Sequence, residues 1–503
     1  MPDIHHANEP DLANSGRVKG LIHSVAQDIL YSADFDSVRR NELVWMSRID
    51  LAHLVMLRET GILRQGAVTP LIAAILNLRE TGFDALQNLP MPRGTYMLYE
   101  SYLIDLLGVE VGGVLQTARS RNDLGATLQR MRHRVALADL TETLLDLEAA
   151  LLDQAHKHLH QPFPLFTHYQ AAQVTTLGQY FLAITASLQR GHAVLETLFD
   201  NLAVCPLGAG AIGGTGFEID TNLTATLLGF ETGPDNSIDA IASRDHVQRT
   251  LSECGTLGGT VSRLAHDLQL WTTQEFGLLE VDDILVGISS MMPQKRNIYL
   301  TENVKGKLAT ALGATQSAAV AMHSTPFSNS ISVGTEACKH LWPAMDDTVD
   351  ALRLITLLVE GLRPVTERIT ARISDGFCTA TALADALVRH NNLSFRDAHH
   401  CVGRLVRDMQ DAGETDLAKG LRQFQPGLAE VLAHVDLSPD GVISSQKYGG
   451  GPAPAVQSKL CSKAKAEHSR MSAELAEKRQ VWVCAETRLD TRALAEASAT
   501  KWT

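Results

Sequence analysis

Cysteines and long apolar runs are both scarce in this 503-residue chain, and each shortage excludes a class of protein. The seven cysteines form no Cys-x-x-Cys pair, and their odd number argues against a complete disulfide framework. We therefore expect a reducing compartment, most simply the cytoplasm. No apolar run approaches the ~20 residues of a membrane-spanning helix. The opening MPDIHHANEPDL lacks the apolar region of a secretion signal.

Positive charge is also in deficit, with 44 Lys and Arg against 57 Asp and Glu and a formal net charge of −13. This balance argues against a nucleic-acid or anionic-membrane partner, so an anionic substrate would need a local concentration of cations. The metal-binding pattern His-Glu-x-x-His is missing, and so is a Cys-x-x-Cys pair followed by histidines. We therefore predict no metal site. The lysine of a Walker A phosphate loop is missing as well.

The chain does have long stretches with apolar residues at i, i+3, i+4 and i+7, the spacing of one helix face. The clearest are 71–79, 135–156, 175–198, 248–271 and 345–362. Alternation of β-branched residues is scarce, and 161–164 (QPFP) is typical of a turn. We therefore predict an all-α protein with a bundle of long helices. Breaks at Gly112-Gly113 and Arg363-Pro364 give predicted domains of 1–115, 116–365 (the central bundle) and 366–503.

The segment 117–123, TARSRND, places hydrogen-bond donors immediately before a helical run. Ser120, Arg121 and Asn122 suit a carboxylate or a phosphate, because arginine binds such groups bidentately and a helix start offers free N–H groups. The alternative is a solvated helix cap with Asp123 in its first turn.

Two further segments are weaker indicators. In 166–173 (FTHYQAAQ), Thr167 and His168 precede the helix predicted from about residue 175. A lone histidine there is more often structural, but it becomes a candidate proton donor if other segments converge on it. In 208–213, GAGAIG matches Gly-x-Gly-x-x-Gly, and Glu231 follows at the spacing of a ribose-binding acid. No β-α-β alternation surrounds the match, which favours a glycine-rich loop between helices over a dinucleotide site.

The segment 287–297, GISSMMPQKRN, is the most informative part of the chain. It combines hydroxyls and cations in a stretch with little helix propensity. A serine is a poor base unless its alkoxide is stabilised by cations or backbone N–H groups, and this loop supplies both around Ser289 and Lys295. The alternative is an exposed, solvated connection.

These segments occur in a fixed order, together with NSIDAIASRD, SRLAHDLQLWTTQEFG and YGGGPAPAVQSK. In that order they resemble the argininosuccinate lyase family of the fumarase/aspartase superfamily, whose signature is SSxMPxKxN. The resemblance implies a three-domain helical protomer whose long central helices assemble into a twenty-helix tetramer core. Each active site would combine segments from three subunits. Family members eliminate fumarate from an N-substituted aspartate, breaking a C–N bond without a cofactor.

The resemblance also implies roles for individual residues. Ser289 matches the base that removes a proton beside a carboxylate, in an anti elimination through an aci-carboxylate whose charge must be stabilised. Lys295 and loop amides would hold its alkoxide. His168 matches a group considered for proton transfer to the leaving nitrogen, and Glu302 matches its carboxylate partner. The positions implied for binding the succinyl part are Ser120, Arg121, Asn122, Thr167, Arg244, Lys295 and Asn297.

The amine half of the site departs from the family. Gln116-Thr117-Ala118 stands where the family has His-Thr-Gly, and Ile298-Tyr299 stands where it has Pro-Asp. Asp50 aligns with a serine near the substrate and is a candidate partner for an ammonium group. The segment that handles the amino-acid end of arginine falls at 327–335, beginning with Phe327, and has neither Gln nor Lys. Such losses would weaken binding of arginine considerably.

Four interpretations of the function follow. The first is a C–N lyase, or an amine-to-fumarate adding enzyme, whose amine differs from arginine. The second is an ordinary argininosuccinate lyase with a rearranged pocket. The third is a diamine–fumarate lyase resembling ethylenediamine-disuccinate lyase, although that group is expected to keep the Asp aligned with Tyr299. The fourth is a non-catalytic structural homologue, which the retention of Ser289, His168 and Lys295 disfavours.

Overall fold

The computed structural model describes residues 22–91 and 93–498, so the polar stretch 1–12 considered above lies outside the described residues. The described chain is predominantly helical, which confirms the predicted all-α class. The sheets within these ranges are three two-stranded antiparallel ribbons. None of the described helices is both long enough and apolar enough to cross a membrane.

The N-terminal helices enclose a hydrophobic cluster of their own, in which Phe83 and Tyr99 are among the largest buried side chains. A π-helical turn, Arg39–Leu43, connects the second helix to the third. These helices are α1 (Ser24–Leu30), α2 (Phe35–Val38), α3 (Val44–Glu59), α4 (Gln65–Glu80), α5 (Thr95–Leu107) and α6 (Val109–Gly112).

The central part holds most of the long helices and the largest hydrophobic cluster, built mainly from Leu, Ala, Val and Ile. Its strands are β1 (Pro162–Thr167), β2 (Gln170–Thr176), β3 (Leu279–Glu280), β4 (Gly287–Ile288), β5 (Arg296–Asn297) and β6 (Arg363–Pro364). Its helices are α7 (Arg121–Lys157), α8 (Leu177–Asn201), α9 (Thr221–Leu227), α10 (Ser237–Ala242), α11 (Asp245–Trp271), α12 (Tyr299–Met322) and α13 (Leu341–Glu360).

Contacts between the long helices fix their directions. Early in α7, His133 lies 3.1 Å (Nδ1 to Nδ1) from His246 at the start of α11, and its ring lies 6.2 Å from Trp342 at the start of α13. Late in α7, Gln154 donates a 2.8 Å hydrogen bond to the carbonyl of Val359, at the end of α13. Helices α7, α11 and α13 therefore run in one direction.

Helices α8 and α12 run back in the opposite direction. Late in α12, Thr315 donates to the carbonyl of Leu251, which lies early in α11 (2.8 Å). We call the end of the bundle where α7 and α11 begin the arginine end, because Arg121 and Arg244 lie there. The opposite end carries the β1–β2 ribbon, and we call it the hairpin end.

Residues of the C-terminal helices form a third, smaller hydrophobic cluster. The last helix packs against the other two clusters instead. Helix α19 contributes Met471 and Leu475 to the central cluster and Leu489 to the N-terminal one, and its Asp490 binds Arg79 of α4 at 3.0 Å. The three-domain division itself stays a proposal. The helices are α14 (Thr366–Asp375), α15 (Ala380–Asn391), α16 (Phe395–Ala412), α17 (Leu417–Phe424), α18 (Pro439–Ser445) and α19 (Pro454–Ser498).

The five predicted helical segments fall on α4, α7, α8, α11 and α13, with small errors at two ends. Residues 175–176 belong to β2, and α13 stops at Glu360. The turn predicted at 161–164 is wrong, because Pro162 and Pro164 lie in β1 and pair with Thr176 and Val174 of β2. Proline is tolerated there because a two-stranded ribbon is all edge.

Candidate active site

The start of α7 is fixed by a capping box and by the glycine-rich loop 205–216. The Ser120 hydroxyl accepts the N–H of Asn122, and the Asp123 carboxylate accepts the N–H of Ser120 at 2.9 Å. The second oxygen of Asp123 accepts the N–H groups of Gly208 and Gly210, at 3.1 and 3.0 Å. The glycine motif therefore serves to dock the loop onto a helix start, and it lies between α8 and α9.

A cavity of about 660 Å³ opens beside this helix start, and we call it the cationic cavity. Arg121, Asn122 and Arg244 line it, so the structure brings three of the predicted anion-binding residues together. Arg132 and Lys339 also line it and were not predicted from the sequence; among the described residues, Glu42 is the one acid in its lining. Their positions in the sequence gave no signal, because Arg132 lies inside α7 and Lys339 comes about 200 residues later, just before α13.

Arg244 is the most constrained cation of this cavity. The residue is only 6% exposed, and its guanidinium donates to the carbonyls of Ile241 (3.0 Å) and Ser243 (2.6 Å). Burial lowers its pKa from the ordinary value for arginine. Within the described part of the chain, no carboxylate lies within ion-pairing distance of Arg244 or Arg121. A buried cation without an acid partner is suited to receive an anionic ligand.

The proposed role of Asp50 at the ligand is wrong. Its carboxylate lies 2.5 Å from the guanidinium of Arg119, and both side chains are 0% exposed. Burial raises the pKa of Asp50, while the charge of Arg119 opposes that shift. The hydroxyl of Tyr96 lies 3.4 Å from the same guanidinium. Asp50 is therefore enclosed in a buried ion pair and has no surface to offer an ammonium group.

At the hairpin end, Thr167 and His168 lie at the tip of the β1–β2 ribbon and are exposed. His168 and Tyr169 form the turn, and both have left-handed backbones, with φ of 52° and 62°. His168 precedes α8, as predicted, but β2 lies between them, and Thr176 caps the helix. The Tyr169 ring lies 6.3 Å from the ring of His266, on α11.

The signature segment is a small β-hairpin rather than an irregular loop. Strands β4 and β5 pair Gly287 with Asn297 and Ile288 with Arg296. The half-buried Ser289 follows directly, and its hydroxyl accepts the N–H groups of Met291 (3.3 Å) and Met292 (3.0 Å).

Two side chains anchor this hairpin, while its lysine stays free. Arg296 binds Asp283 at 2.6 Å and the carbonyl of Val281 at 3.0 Å. The Tyr299 ring covers Gly287 so closely that a Cβ there would lie 2.7 Å from it. Lys295 is exposed, and among the described residues only its backbone N–H has a partner, the carbonyl of Met292 at 3.1 Å.

Glu302 lies one turn into α12, exposed, and accepts a 3.3 Å hydrogen bond from Gln269 of α11. The expected pair between His168 and Glu302 does not form within one chain, since no ion pair joins them among the described residues. Gln269 is one helical turn from His266, so Glu302 and the ribbon tip both contact the last turns of α11.

The predicted site residues thus fall into two groups at opposite ends of the bundle. The 37 residues of α7 separate Arg121 from the β1–β2 ribbon, a length of about 55 Å at 1.5 Å per residue. Tyr299 begins the 24-residue α12 and Phe327 follows its other end, so about 35 Å of helix axis separates them. Phe327 is 67% exposed at the arginine end. A single chain therefore does not gather them into one site.

Comparison with known proteins gives a consistent result. A family model described as lyase matches residues 90–313, and one described as argininosuccinate lyase C-terminal matches 377–442. The argininosuccinate lyase of Methanosarcina mazei is 34% identical over 436 residues, covering 85% of this chain and 88% of that protein.

Solved structures of EDDS lyase are similar across nearly the whole chain. One, in complex with formate, has a TM-score of 0.83 at 26% identity, covering 96% of this chain and 98% of that one. A variant of EDDS lyase with bound fumarate also has a TM-score of 0.83, at 27% identity, covering 98% and 100%.

Proposed function

The chain belongs to the argininosuccinate lyase family of the fumarase/aspartase superfamily, a family of fumarate-forming C–N lyases, and we propose that its substrate is an N-substituted L-aspartate whose amine differs from arginine. The reaction is a reversible anti elimination that requires no cofactor. A base removes a proton from the carbon beside one carboxylate, and the electron pair passes into an aci-carboxylate. When that intermediate collapses, the double bond of fumarate forms, the C–N bond breaks, and the nitrogen keeps the bonding electrons.

The succinyl carboxylates bind at the arginine end. Arg244 supports this assignment, because it is a buried guanidinium, with no acid partner among the described residues, that faces the same cavity as Arg121 and Asn122. Ser120 contributes by fixing the start of α7. Thr167, Lys295 and Asn297 complete the anion site from other copies of the chain. Cations and N–H donors at this position stabilise the charge that develops on the carboxylate in the aci intermediate.

The observation that carries the proposed chemistry is the environment of Ser289. Two backbone N–H groups, those of Met291 and Met292, already point at its hydroxyl oxygen. Such donors stabilise the alkoxide that the base must become, and Lys295, six residues on, adds a positive charge at the same hairpin. Ser289 is thereby suited to remove the proton.

His168 is the candidate donor of the proton that the leaving nitrogen needs. Its exposed position on the ribbon tip lets it reach a site on another copy, and the strained left-handed turn fixes where it projects. Glu302 orients and charges the imidazole, across a subunit boundary, in the way a carboxylate orients a catalytic histidine.

A homotetramer brings the two ends together. Helices that pack antiparallel between copies place the arginine end of one copy beside the hairpin end of another, so each site combines three chains around a twenty-helix core. The outward face of α12 supports this assembly. It presents the small residues Gly306, Ala309 and Gly313, and its Val320 is 76% exposed. A smooth face of this kind allows close approach of another helix.

The amine is the part of the substrate in which this chain departs from its relatives. Tyr299 and the exposed Phe327 occupy positions where the family carries groups for a zwitterionic arginine. Lys339 does line the cationic cavity, but it is paired with Glu336 at 2.6 Å. Argininosuccinate lyase activity is the second candidate, favoured by relatives of that name at about one-third identity. It predicts efficient release of fumarate from argininosuccinate.

The test uses the ultraviolet absorbance of fumarate. Purified protein is supplied with a panel of N-substituted L-aspartates, including argininosuccinate, and in reverse with fumarate and amines. We expect fumarate release that Ser289→Ala lowers by about 10²-fold or more while the assembly stays intact. The matched control is the neighbouring Ser290→Ala, which should keep most of the activity. Efficient turnover of argininosuccinate would contradict the altered amine, and an active Ser289→Ala variant would contradict the base.

A further inference from the structure

A second cavity, of about 540 Å³, adjoins the cationic cavity at the arginine end and has the opposite charge. Asp200, Asp235, Asp239 and Asp245 line it, and Arg130 is its one described lining residue with a permanent positive charge. We call it the acidic cavity. The cationic cavity shows the reverse balance, with three arginines and a lysine against Glu42.

The two cavities share a wall. Arg244 lines the cationic cavity, while its neighbours Ser243 and Asp245 line the acidic one. Likewise Asn329 lines the first and Phe327 the second. One extended ligand can therefore place an anionic end and a cationic end on the two sides of this wall.

The acids of this cavity are not consumed by the fold. Asp200 and Asp235 are exposed and have neither a hydrogen bond nor an ion pair to their side chains among the described residues. Asp245 does bind Arg249, at 3.1 Å, so one of the four is partly neutralised. The other three aspartates form no ion pair among the described residues.

A buried imidazole in the same lining has a nitrogen without a partner in the described part of the chain. His246 is 2% exposed, its Nδ1 lies 3.1 Å from Nδ1 of His133, and its Nε2 makes no hydrogen bond. His133 in turn lies 3.0 Å from the Thr250 hydroxyl. Burial keeps both rings neutral by lowering their pKa values, to about 3 for His133. When His133 donates to Thr250, His246 Nδ1 donates to His133, and His246 Nε2 is left as a free acceptor.

We infer that the acidic cavity is the subsite for the cationic tail of the amine, so that the amine carries a second positively charged nitrogen and no carboxylate. This inference rests on the proposed function of the neighbouring cationic cavity. The succinyl part lies on Arg121 and Arg244, and the tail reaches past Phe327. There its N–H groups donate to the aspartates and to Nε2 of His246, and the exposed aromatic ring of Phe327 adds a face that attracts a cation.

The experiment compares α,ω-diamines with primary monoamines of equal chain length, each added to fumarate and the wild-type enzyme. The KM of the best diamine should be lower than that of its monoamine by about tenfold or more, and the difference should shrink at high salt. In the double variant Asp235→Asn/Asp239→Asn, the KM of the monoamine divided by the KM of the diamine should fall towards one. Asp411→Asn, an exposed acid on α16, should leave the ratio unchanged.

Calorimetry separates failure of this inference from failure of the proposed function. Fumarate titrated into the Ser289→Ala enzyme tests the cationic cavity, and 1,4-diaminobutane titrated into the same enzyme tests the acidic one. Diamine binding that is lost in the Asp235→Asn/Asp239→Asn background supports the inference even if no amine is turned over. Fumarate binding with no diamine binding, or equal KM values for monoamines and diamines, overturns it and leaves the lyase assignment intact.

Discussion

Among the described ion pairs, the one between Asp50 and Arg119 is the pair in which both side chains are fully buried, and it lies next to the candidate site. Removing the charge of Asp50 as Asp50→Asn leaves the guanidinium of Arg119 desolvated and unpaired, which costs about 3–5 kcal/mol. We expect a marked fall in Tm. The control is Asp36→Asn, which breaks the exposed pair with Arg39 and should cost less than about 1 kcal/mol. Equal Tm values for the two variants would show that the buried pair contributes nothing.

Glu148 is a buried acid at the centre of the bundle, and it makes stability depend on pH. Burial raises its pKa to about 8, from an ordinary value of 4.5. Between those values the folded chain holds a proton that the unfolded chain has released, so the free energy of unfolding falls as pH rises through this window. Glu148→Gln removes this loss and should raise Tm more at pH 8 than at pH 5.

The measurement for Glu148 is thermal unfolding of both proteins across that range. The exposed Glu477→Gln on α19 is the matched control and should leave the difference between the two pH values unchanged. A Glu148→Gln protein whose Tm follows the wild type at every pH would refute the role of this carboxyl.

The sequence predicts individual site residues where chemistry and order along the chain carry the information, and their roles stay predictions. Ser289, Lys295 and Asn297 stand in a compact signature, and Arg121 and Asn122 precede a helix. The role of Asp50 was not predictable, because an acid inside an apolar helix gives no sign of what lies opposite. Its partner Arg119 is far away in sequence.

Among the elements, the glycine-rich loop 205–216 requires a backbone conformation that favours glycine. Gly210 has φ of +62°, and a Cβ there would lie 2.6 Å from the carbonyl oxygen of Gly214. Gly210→Ala should therefore cost about 1–3 kcal/mol. It should also raise the KM for the aspartate derivative, because Ala211 accepts a 2.8 Å hydrogen bond from the Asn122 side chain.

Gly213→Ala is the control in the same loop, since a Cβ added there would meet no atom within 4 Å and its φ is not left-handed. We expect it to match the wild type in Tm and KM. If both alanine variants behave alike, the loop does not position Asn122.

Element prediction succeeded for five helices with a strong apolar period and missed other elements, among them α12 and the β1–β2 ribbon. Helix α12 was not singled out, because half of its buried residues are alanine and its sequence contains Gly306 and Gly313. The β1–β2 ribbon was missed because Pro162 and Pro164 are typical of turns, and because its tip uses His168 and Tyr169 where glycine or asparagine is usual. Pairing with β2 supplied what the local sequence did not indicate.

At the scale of the whole molecule, the two-ended distribution of the site residues was implied only by the family resemblance. Helix lengths follow from the sequence, but the parallel course of α7 and α11 is set by tertiary contacts such as those of His133. That course places Arg121 and Ser289 at opposite ends of the same bundle. Under the proposed function, an active enzyme therefore takes its base from one copy and its anion site from another.

This geometry predicts that a mixture of two inactive variants recovers activity. Ser289→Ala and Arg121→Ala should each be inactive alone, since every site then lacks either its base or a cation. After joint refolding or coexpression, some sites pair an intact Arg121 from one copy with an intact Ser289 from another. For random assembly from equal amounts, about a quarter of the sites are complete, because two independent chains must each be of the right kind. Activity should therefore recover to about a quarter of the wild-type value.

The control mixes Ser289→Ala with Ser289→Gly, which can never yield a complete site and should stay inactive. Mass measurement of the mixture shows whether hybrid assemblies have formed. If hybrids form and activity does not return, Ser289 and Arg121 act within one chain or in different sites. A helix of about 55 Å between them excludes the first of these, so the shared anion and base site would itself be wrong.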